Sequence, residues 1–393
     1  MSKFLFVSSY DLRRNTSGNI RTVALMNALH ANGHVVHCIF VPSSHNSDKS
    51  IYENLMKIDK CISFPNGEIS FINQPLIKKE QKGLGSAIRN KIISIYSSLT
   101  VYDVFEIALL KLSKYDLSEI DNSYDFIVSS SEPRSSHKFA EKIIKLKNLK
   151  SKWILYWGDP MSNDVASTKI FRNWEASEER RLIAKSDFSI YTNPCAVVFM
   201  KKKYPNYSDK IAWVPTSDFQ THNLNTNSGD ILKIGYFGDY LKRYRNIIPL
   251  YNACINNNFD TVIIGGGDIE LKSEGMVKVY GRMSRENLSQ FESECGILVV
   301  LENISKTREC IQVPGKLYHY GLSYKNIIVI TESENISKEY ESYKRFTFVR
   351  NEESSITKAI QDIQNHLNND IINEPVKEFQ LNNIAKLFID IIR

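Results

Sequence analysis

No stretch of this 393-residue sequence approaches the roughly 18 uninterrupted apolar residues that a membrane-crossing helix requires. The apolar start, MSKFLFVSSYDL, meets Asp11 and Arg13 before it can form a secretory leader, so it reads as a first strand. The expectation is a cytoplasmic protein, at most peripheral at the inner face of the cell membrane. Cysteine is scarce and scattered. Cys38, Cys61, Cys195, Cys254, Cys295 and Cys310 form no C-x-x-C pair and stand beside no histidine ladder, which argues against zinc and against a disulfide framework. Charge of one sign is also lacking: 50 Lys and Arg stand against 44 Asp and Glu, a net +6. That is too mild for a dedicated nucleic-acid binder and leaves room for a local anionic partner, a phosphate or a lipid surface.

What is present is globular. Hydrophobic residues make up 42% of the chain and charged residues 24%, enough apolar material for packed cores and too much for a disordered polymer. Since domains usually hold about 100 to 200 residues, the length predicts two. Strand-like runs alternate with helical periods from the start: Phe4 to Ser8, a helix from about Ile20 to Asn32, then Val35 to Val41. Further strand candidates are 126–129, 153–157, 188–192 and 211–214, spaced for parallel crossovers. The polar stretch from Thr216 to Asp230 reads as a linker. Beyond it the alternation restarts at 232–237, 261–265, 277–280, 296–301 and 326–331. The expected fold class is therefore α/β with two Rossmann-like domains, 1–215 and 216–375. Apolar residues at Phe379, Ile384, Leu387, Phe388 and Ile391 give 376–393 a helical face that must bury, and the expectation is that it crosses back onto the first domain. A basic then aromatic segment, QPLIKKEQKGLGSAIR followed by NKIISIYSSLTVYDVF, interrupts the pattern. It reads either as a solvated loop and an ordinary core-packing helix or as a docking surface for a membrane-attached substrate, and its lysines with the Lys201, Lys202, Lys203 run could attract anionic lipid.

Candidate chemistry clusters at strand ends, where open α/β sheets hold ligands. In the first half, Gly18 and Asn19 precede a helix, where a glycine permits close approach and helix N–H groups attract an anion. SSSEPRSSHKFA offers Glu132, Arg134 and His137 on the acceptor side, and ILYWGDPMSND offers Asp159, either a group that orients an acceptor hydroxyl or stays near the reacting sugar carbon, or a turn residue before proline. In the second half, KIGYFGDYLKRYRNI brings Gly238 and then Arg243 and Arg245 at the start of a helix, suited to a diphosphate. TVIIGGGD reads as a tight turn. Gly281 and Arg282 follow a strand and suit a base. Pro314, Gly315, Lys316 and Leu317 open a further helix, with Lys316 as a phosphate cation and His319 one turn on.

The ordered set SGN, WGDP, EERRLIAKSDFSIYTNP, KIAWVP, KIGYFG, VIIGGG, VYGRMSRENL and VPGKLYHYG resembles the GT-B glycosyltransferases, most similarly the family 4-like enzymes of bacterial surface polysaccharide synthesis, from about Lys3 to Thr331. The resemblance implies two domains facing across a cleft, a nucleotide-sugar donor held mainly by the second, a glycan or lipid-linked acceptor held mainly by the first, and no required cofactor or metal. It also implies retention of anomeric configuration. One departure bears on that: the paired Glu motif, two Glu with seven residues between, is replaced by CIQVPGKLYHYG, with Ile311 and His319 at the two positions. A sugar-nucleotide 2-epimerase of the same fold would need a carboxylate and histidine cluster that the sequence does not display. A catalytically decayed nucleotide-binding relic fits the missing Glu pair, and a two-lobed periplasmic-type receptor would need a secretory leader.

Overall fold

A computed structural model describes residues 1–14, 16–42, 56–63, 99–103, 106, 109, 112, 117–164, 172–217, 230–304, 311–365 and 374–393. The basic segment at 74–91, most of the linker and Cys310 lie outside the described residues. The chain divides into two compact units, Met1–Phe219 with Leu381–Arg393, and Gln220–Gln380.

The first unit is a doubly wound parallel sheet of β1 (Lys3–Ser8), β2 (Val35–Phe40), β3 (Lys60–Ser63), β4 (Phe126–Ser130), β5 (Lys152–Trp157), β6 (Phe188–Tyr191) and β7 (Ile211–Trp213), in the order β3-β2-β1-β4-β5-β6-β7. Both faces are covered, so the strands are apolar on both faces along most of their length, and the period of two sorts them. Leu5 and Val7 face one core with Phe139, Leu155 and Trp157, while Phe4 and Phe6 face another with Leu25, Leu29 and Phe388. Helices α1 (Ser17–Ala31), α2 (Ser135–Lys147), α3 (Arg172–Lys185) and α4 (Pro194–Lys203) make the crossovers. The start of α1 is fixed by Thr16, whose side chain accepts from the Asn19 N–H, and that of α4 by Asn193, which accepts from Ala196 with Pro194 in the first turn.

The second unit repeats the plan with β8 (Asp230–Phe237), β9 (Thr261–Ile264), β10 (Val277–Tyr280), β11 (Cys295–Leu301), β12 (Asn326–Ile330) and β13 (Phe346–Val349), ordered β10-β9-β8-β11-β12-β13 and parallel throughout. Its helices are α5 (Ile248–Asn256), α6 (Arg285–Glu294), α7 (Gly315–Gly321), α8 (Glu334–Glu339) and α9 (Glu353–Asn365). In each sheet the order reverses beside the first strand, at β1/β4 and at β8/β11, which is where ligands gather in such sheets.

The last helix, α10 (Leu381–Ile392), lies on the first unit. Its stripe of Ile384, Ala385, Phe388, Ile389 and Ile392 is buried there, with the Phe388 ring 6.4 Å from that of Phe4. The helix starts at 381 rather than 376 because 376–380 belong to the second unit: the Val376 N–H donates to the Gly321 carbonyl at 2.9 Å, and the Phe379 ring packs 4.9 Å from Tyr318. Cys38, Cys195, Cys254 and Cys295 are buried thiols, but Cys61 is exposed because β3 is an edge strand. Among the described residues no helix is long and apolar enough to cross a membrane.

Candidate functional site

At the carboxyl ends of β4 and β5 the first unit gathers charge. Asp159 lies just past β5, partly exposed, and no hydrogen bond or ion pair holds its carboxyl among the described residues. Burial, and then the nearby Glu132 carboxylate, push its pKa up to about 7, against the pull of Arg21. Glu132 itself is exposed. Arg21, which the sequence reading passed over, stands one helical turn beyond Gly18 on α1 and donates from Nη2 to the Ser131 carbonyl at 3.0 Å. Its guanidinium fills the space that Gly158 leaves: a Cβ at 158 would lie 2.4 Å from Nη2. Only glycine before Asp159 lets that cation approach.

Three expectations for this unit change. Asn19 is 2% exposed, and its side-chain amide donates to the Asp11 and Arg14 carbonyls at 2.8 and 3.0 Å, so it ties the β1–α1 loop instead of facing a ligand. Arg134 is claimed by two carboxylates, Asp164 at 2.8 Å and Glu175, and is not free to hold an acceptor anion. His137 is completely buried, with Nδ1 2.8 Å from the Ser129 hydroxyl and its ring 4.0 Å from Trp157; burial drops its pKa to about 3 and keeps it neutral. It is a core residue because α2 packs against β1 and β4, the inner strands of the sheet. Gly18 meets the protein's own chain, its Cβ position 3.1 Å from the Glu132 carbonyl.

In the second unit the loops after β8 and β9 run together: Gly238 donates to Ile264 at 2.9 Å and Tyr240 to Gly266 at 3.1 Å. A Cβ at Gly265 would sit 1.9 Å from the Gly238 carbonyl oxygen, and one at Gly267 1.5 Å from that of Tyr240, so the triple glycine serves this closeness. Arg243 and Arg245 do not open a helix. They occupy a turn closed by Leu241 and Arg245 bonding each other at 2.9 and 2.8 Å, ahead of α5. Arg243 is exposed; Arg245 is half-buried, with Nη1 3.4 Å from the Asp239 carbonyl and Nε without a partner among the described residues. Arg282, beyond β10 and next to Gly281, is forked onto Asp239 by bonds of 2.8 and 2.7 Å.

Helix α7 is only seven residues long, so its free N–H groups offer little field. Pro314 and Gly315 lead into it, and Leu317 is wholly buried core. The charged side chains here meet a residue the sequence reading missed. Lys316 Nζ donates to Glu292 Oε1 at 2.9 Å and to the Tyr320 hydroxyl at 3.1 Å, and His319 Nε2 lies 3.5 Å from Glu292 Oε2. Burial alone would raise the Glu292 pKa, but Lys316 and His319 outweigh it and hold the carboxyl well below the usual range. The signal was available: Glu292 lies four residues beyond Leu288 on α6, an acid on the inward face. A second carboxyl, Glu302 at the end of β11, accepts from the Thr331 hydroxyl and is pushed up to about 8, chiefly by burial, so it is mostly protonated at neutral pH.

Both sets stand at the ends of parallel strands beside a switch point, and the fold that puts them there is shared with known structures. HepE of Anabaena, solved with UDP and glucose, is 10% identical over 99% of each chain, with a TM-score of 0.63. The catalytic domain of starch synthase IV from Arabidopsis thaliana, bound to ADP and acarbose, is 10% identical over 100% of this chain and 98% of its own, at 0.60. The UDP-GlcNAc 2-epimerase of Neisseria meningitidis is 12% identical over 99% of each, at 0.53. The chain has the GT-B fold. No family model matches the sequence, and a search of the curated proteins returns no match. The first unit brings a carboxyl of raised pKa to its strand ends, and the second a set of cations around a buried carboxylate. Among the described residues no group of His, Cys, Asp and Glu could hold a metal ion.

Proposed function

We propose that this protein is a glycosyltransferase that moves a sugar from a nucleoside diphosphate sugar to a hydroxyl of a glycan or lipid-linked acceptor, in bacterial surface polysaccharide synthesis. The fold supports the reading, since chains of this fold include HepE solved with UDP and glucose, and TarM. The observation that carries it furthest is Asp159, an unpartnered carboxyl with a pKa of about 7 at a strand end. Asp159 takes the proton of the acceptor hydroxyl as that oxygen attacks the anomeric carbon. The bond from that carbon to the diphosphate breaks, and its electron pair leaves on the phosphate oxygen. In the second unit Lys316, with Arg243 and Arg245, stabilises that developing charge, and Gly281 and Arg282 lie on the base side. The carboxylates around Asp159 favour a neutral acceptor end over an anionic one. A single displacement of this kind inverts the anomeric centre, where the family 4 resemblance implied retention, and proton NMR of the product's anomeric signal decides between them.

The reaction requires no metal, so EDTA leaves the rate unchanged. Lys201 and Lys202, exposed at the end of α4, favour peripheral contact with anionic lipid at the inner face of the membrane, whereas Lys203 is engaged by Glu179 at 3.3 Å. Co-sedimentation with phosphatidylglycerol vesicles at low salt tests this. The function itself is tested by a radiolabelled nucleotide-sugar screen against a detergent-solubilised glycolipid extract: transfer to the extract is expected, and nucleotide binding without turnover would mark a decayed enzyme. The Glu292–His319 contact favours one second reading, a 2-epimerase. Proton NMR of UDP-GlcNAc with the protein and no acceptor separates them, because only an epimerase changes the sugar.

A further inference from the structure

The positive charge that would meet a diphosphate in the second unit is already in use. Glu292 is 6% exposed, a burial at which an ionised carboxylate is unfavourable unless cations surround it. Its two oxygens are divided: Oε1 takes Lys316 and the Tyr320 hydroxyl, at 2.9 and 3.2 Å, and Oε2 faces His319. Lys316, by contrast, keeps about a third of its side chain exposed, at 34%. Its ammonium lies 5.7 Å from the ring of Phe237, the last residue of β8, and so beside the β8/β11 switch point. One end of the ion pair is sealed in the unit and the other faces the ligand edge. A lysine neutralised in this way attracts an incoming dianion weakly, because the carboxylate behind it repels what the ammonium attracts.

We propose that Glu292 is a built-in anion that occupies Lys316 in the nucleotide-free protein and gives it up to the diphosphate when nucleotide binds. The inference rests on the donor reading given above for Lys316. Glu292 has the means to release Lys316 without being stranded, because the Tyr320 hydroxyl and His319 remain on its oxygens. The exchange lowers affinity for nucleoside diphosphate and so hastens departure of that product, a step that often limits turnover.

The test is a double-mutant cycle on the full chain, reading the affinity of UDP, GDP and ADP by calorimetry at low salt. Glu292→Gln keeps the shape and removes the charge; it is expected to tighten binding of whichever nucleotide the parent binds by about three- to tenfold. Lys316→Ala is expected to weaken it by about ten- to a hundredfold. In the Lys316→Ala background the Gln substitution should gain much less than in the parent, only what removing the carboxylate's own repulsion gives, since the cation it frees is gone. A gain of the full size there overturns the proposal, as does a Glu292→Gln protein that binds no tighter than the parent. Glu292→Asp provides a second variant if Gln lowers the melting temperature: its shorter carboxylate retreats from Lys316, and tightening is again expected. If Lys316→Ala binds as the parent does, the donor reading of Lys316 fails first, and failure of the parent to bind any of the three nucleotides removes both.

Discussion

Replacing Asp159 by Asn removes the proton acceptor while keeping the shape, and the expected consequences are quantitative. With a pKa of about 7, the carboxyl is about one-tenth ionised at pH 6 and about nine-tenths at pH 8. A transfer rate that depends on the ionised form should rise roughly tenfold per pH unit below 7 and level off above it. A positioned general base is worth about a hundred- to ten-thousandfold, so Asp159→Asn should lower kcat by that factor at pH 8 and abolish the rising limb. Stability moves the other way. The folded-state pKa lies above the unfolded value near 4, so what Asp159 contributes to stability is fully present below about pH 4 and is lost as pH rises through about 7. Three units set a ceiling of about 4 kcal/mol, which the partial exposure of Asp159 reduces. Relative to the parent, the Asn variant should therefore melt higher at pH 8 than at pH 4. A variant that keeps its rate within threefold at pH 8, with the same limb, would refute the assignment.

Other substitutions probe the frame around it. Gly158→Ala should drive the Arg21 guanidinium away, because the new Cβ meets it at 2.4 Å; with that cation withdrawn, the limb assigned to Asp159 should move above pH 7, as a pH–rate profile would report. Arg134→Ala takes from Asp164 and Glu175 the guanidinium they share in a mostly buried place and should cost about 3 to 5 kcal/mol in urea unfolding, an amount no surface arginine approaches. Phe388→Ala, in the fully buried stripe of α10, should cost about 3 to 5 kcal/mol, and an effect below about 1 kcal/mol would mean that the helix is not held there as described.

The sheets were largely legible in the sequence because strands covered on both faces are apolar along most of their length: Phe4 to Ser8 and Asn326 to Thr331 differ from β1 and β12 by a residue at one end. The edge strand β3, four residues with one buried side chain shown, lacks that signature and went unread, as did β13. Strand-end glycines and acids were legible by position, and Asp159 among them. Partners were not. Arg21, Glu292 and Glu302 act through contacts with residues 137, 24 and 29 positions away, as with Gly158, Lys316 and Thr331, and no spacing rule in a single chain reports such distances. For the same reason Asn19, Arg134 and His137 looked available: their residue types are those of ligand contacts, and only the fold reveals that the protein's own carbonyls, carboxylates and rings use them. The missing Glu pair likewise drew attention to what the segment around His319 lacks, while a carboxylate reaches it from α6.

Calorimetric titration of the full chain with UDP, GDP and ADP tests the central claim most directly. A donor-binding second unit predicts one site for at least one of them, with a micromolar Kd that Lys316→Ala weakens by about ten- to a hundredfold. No heat of binding from any of the three at millimolar nucleotide would contradict the account.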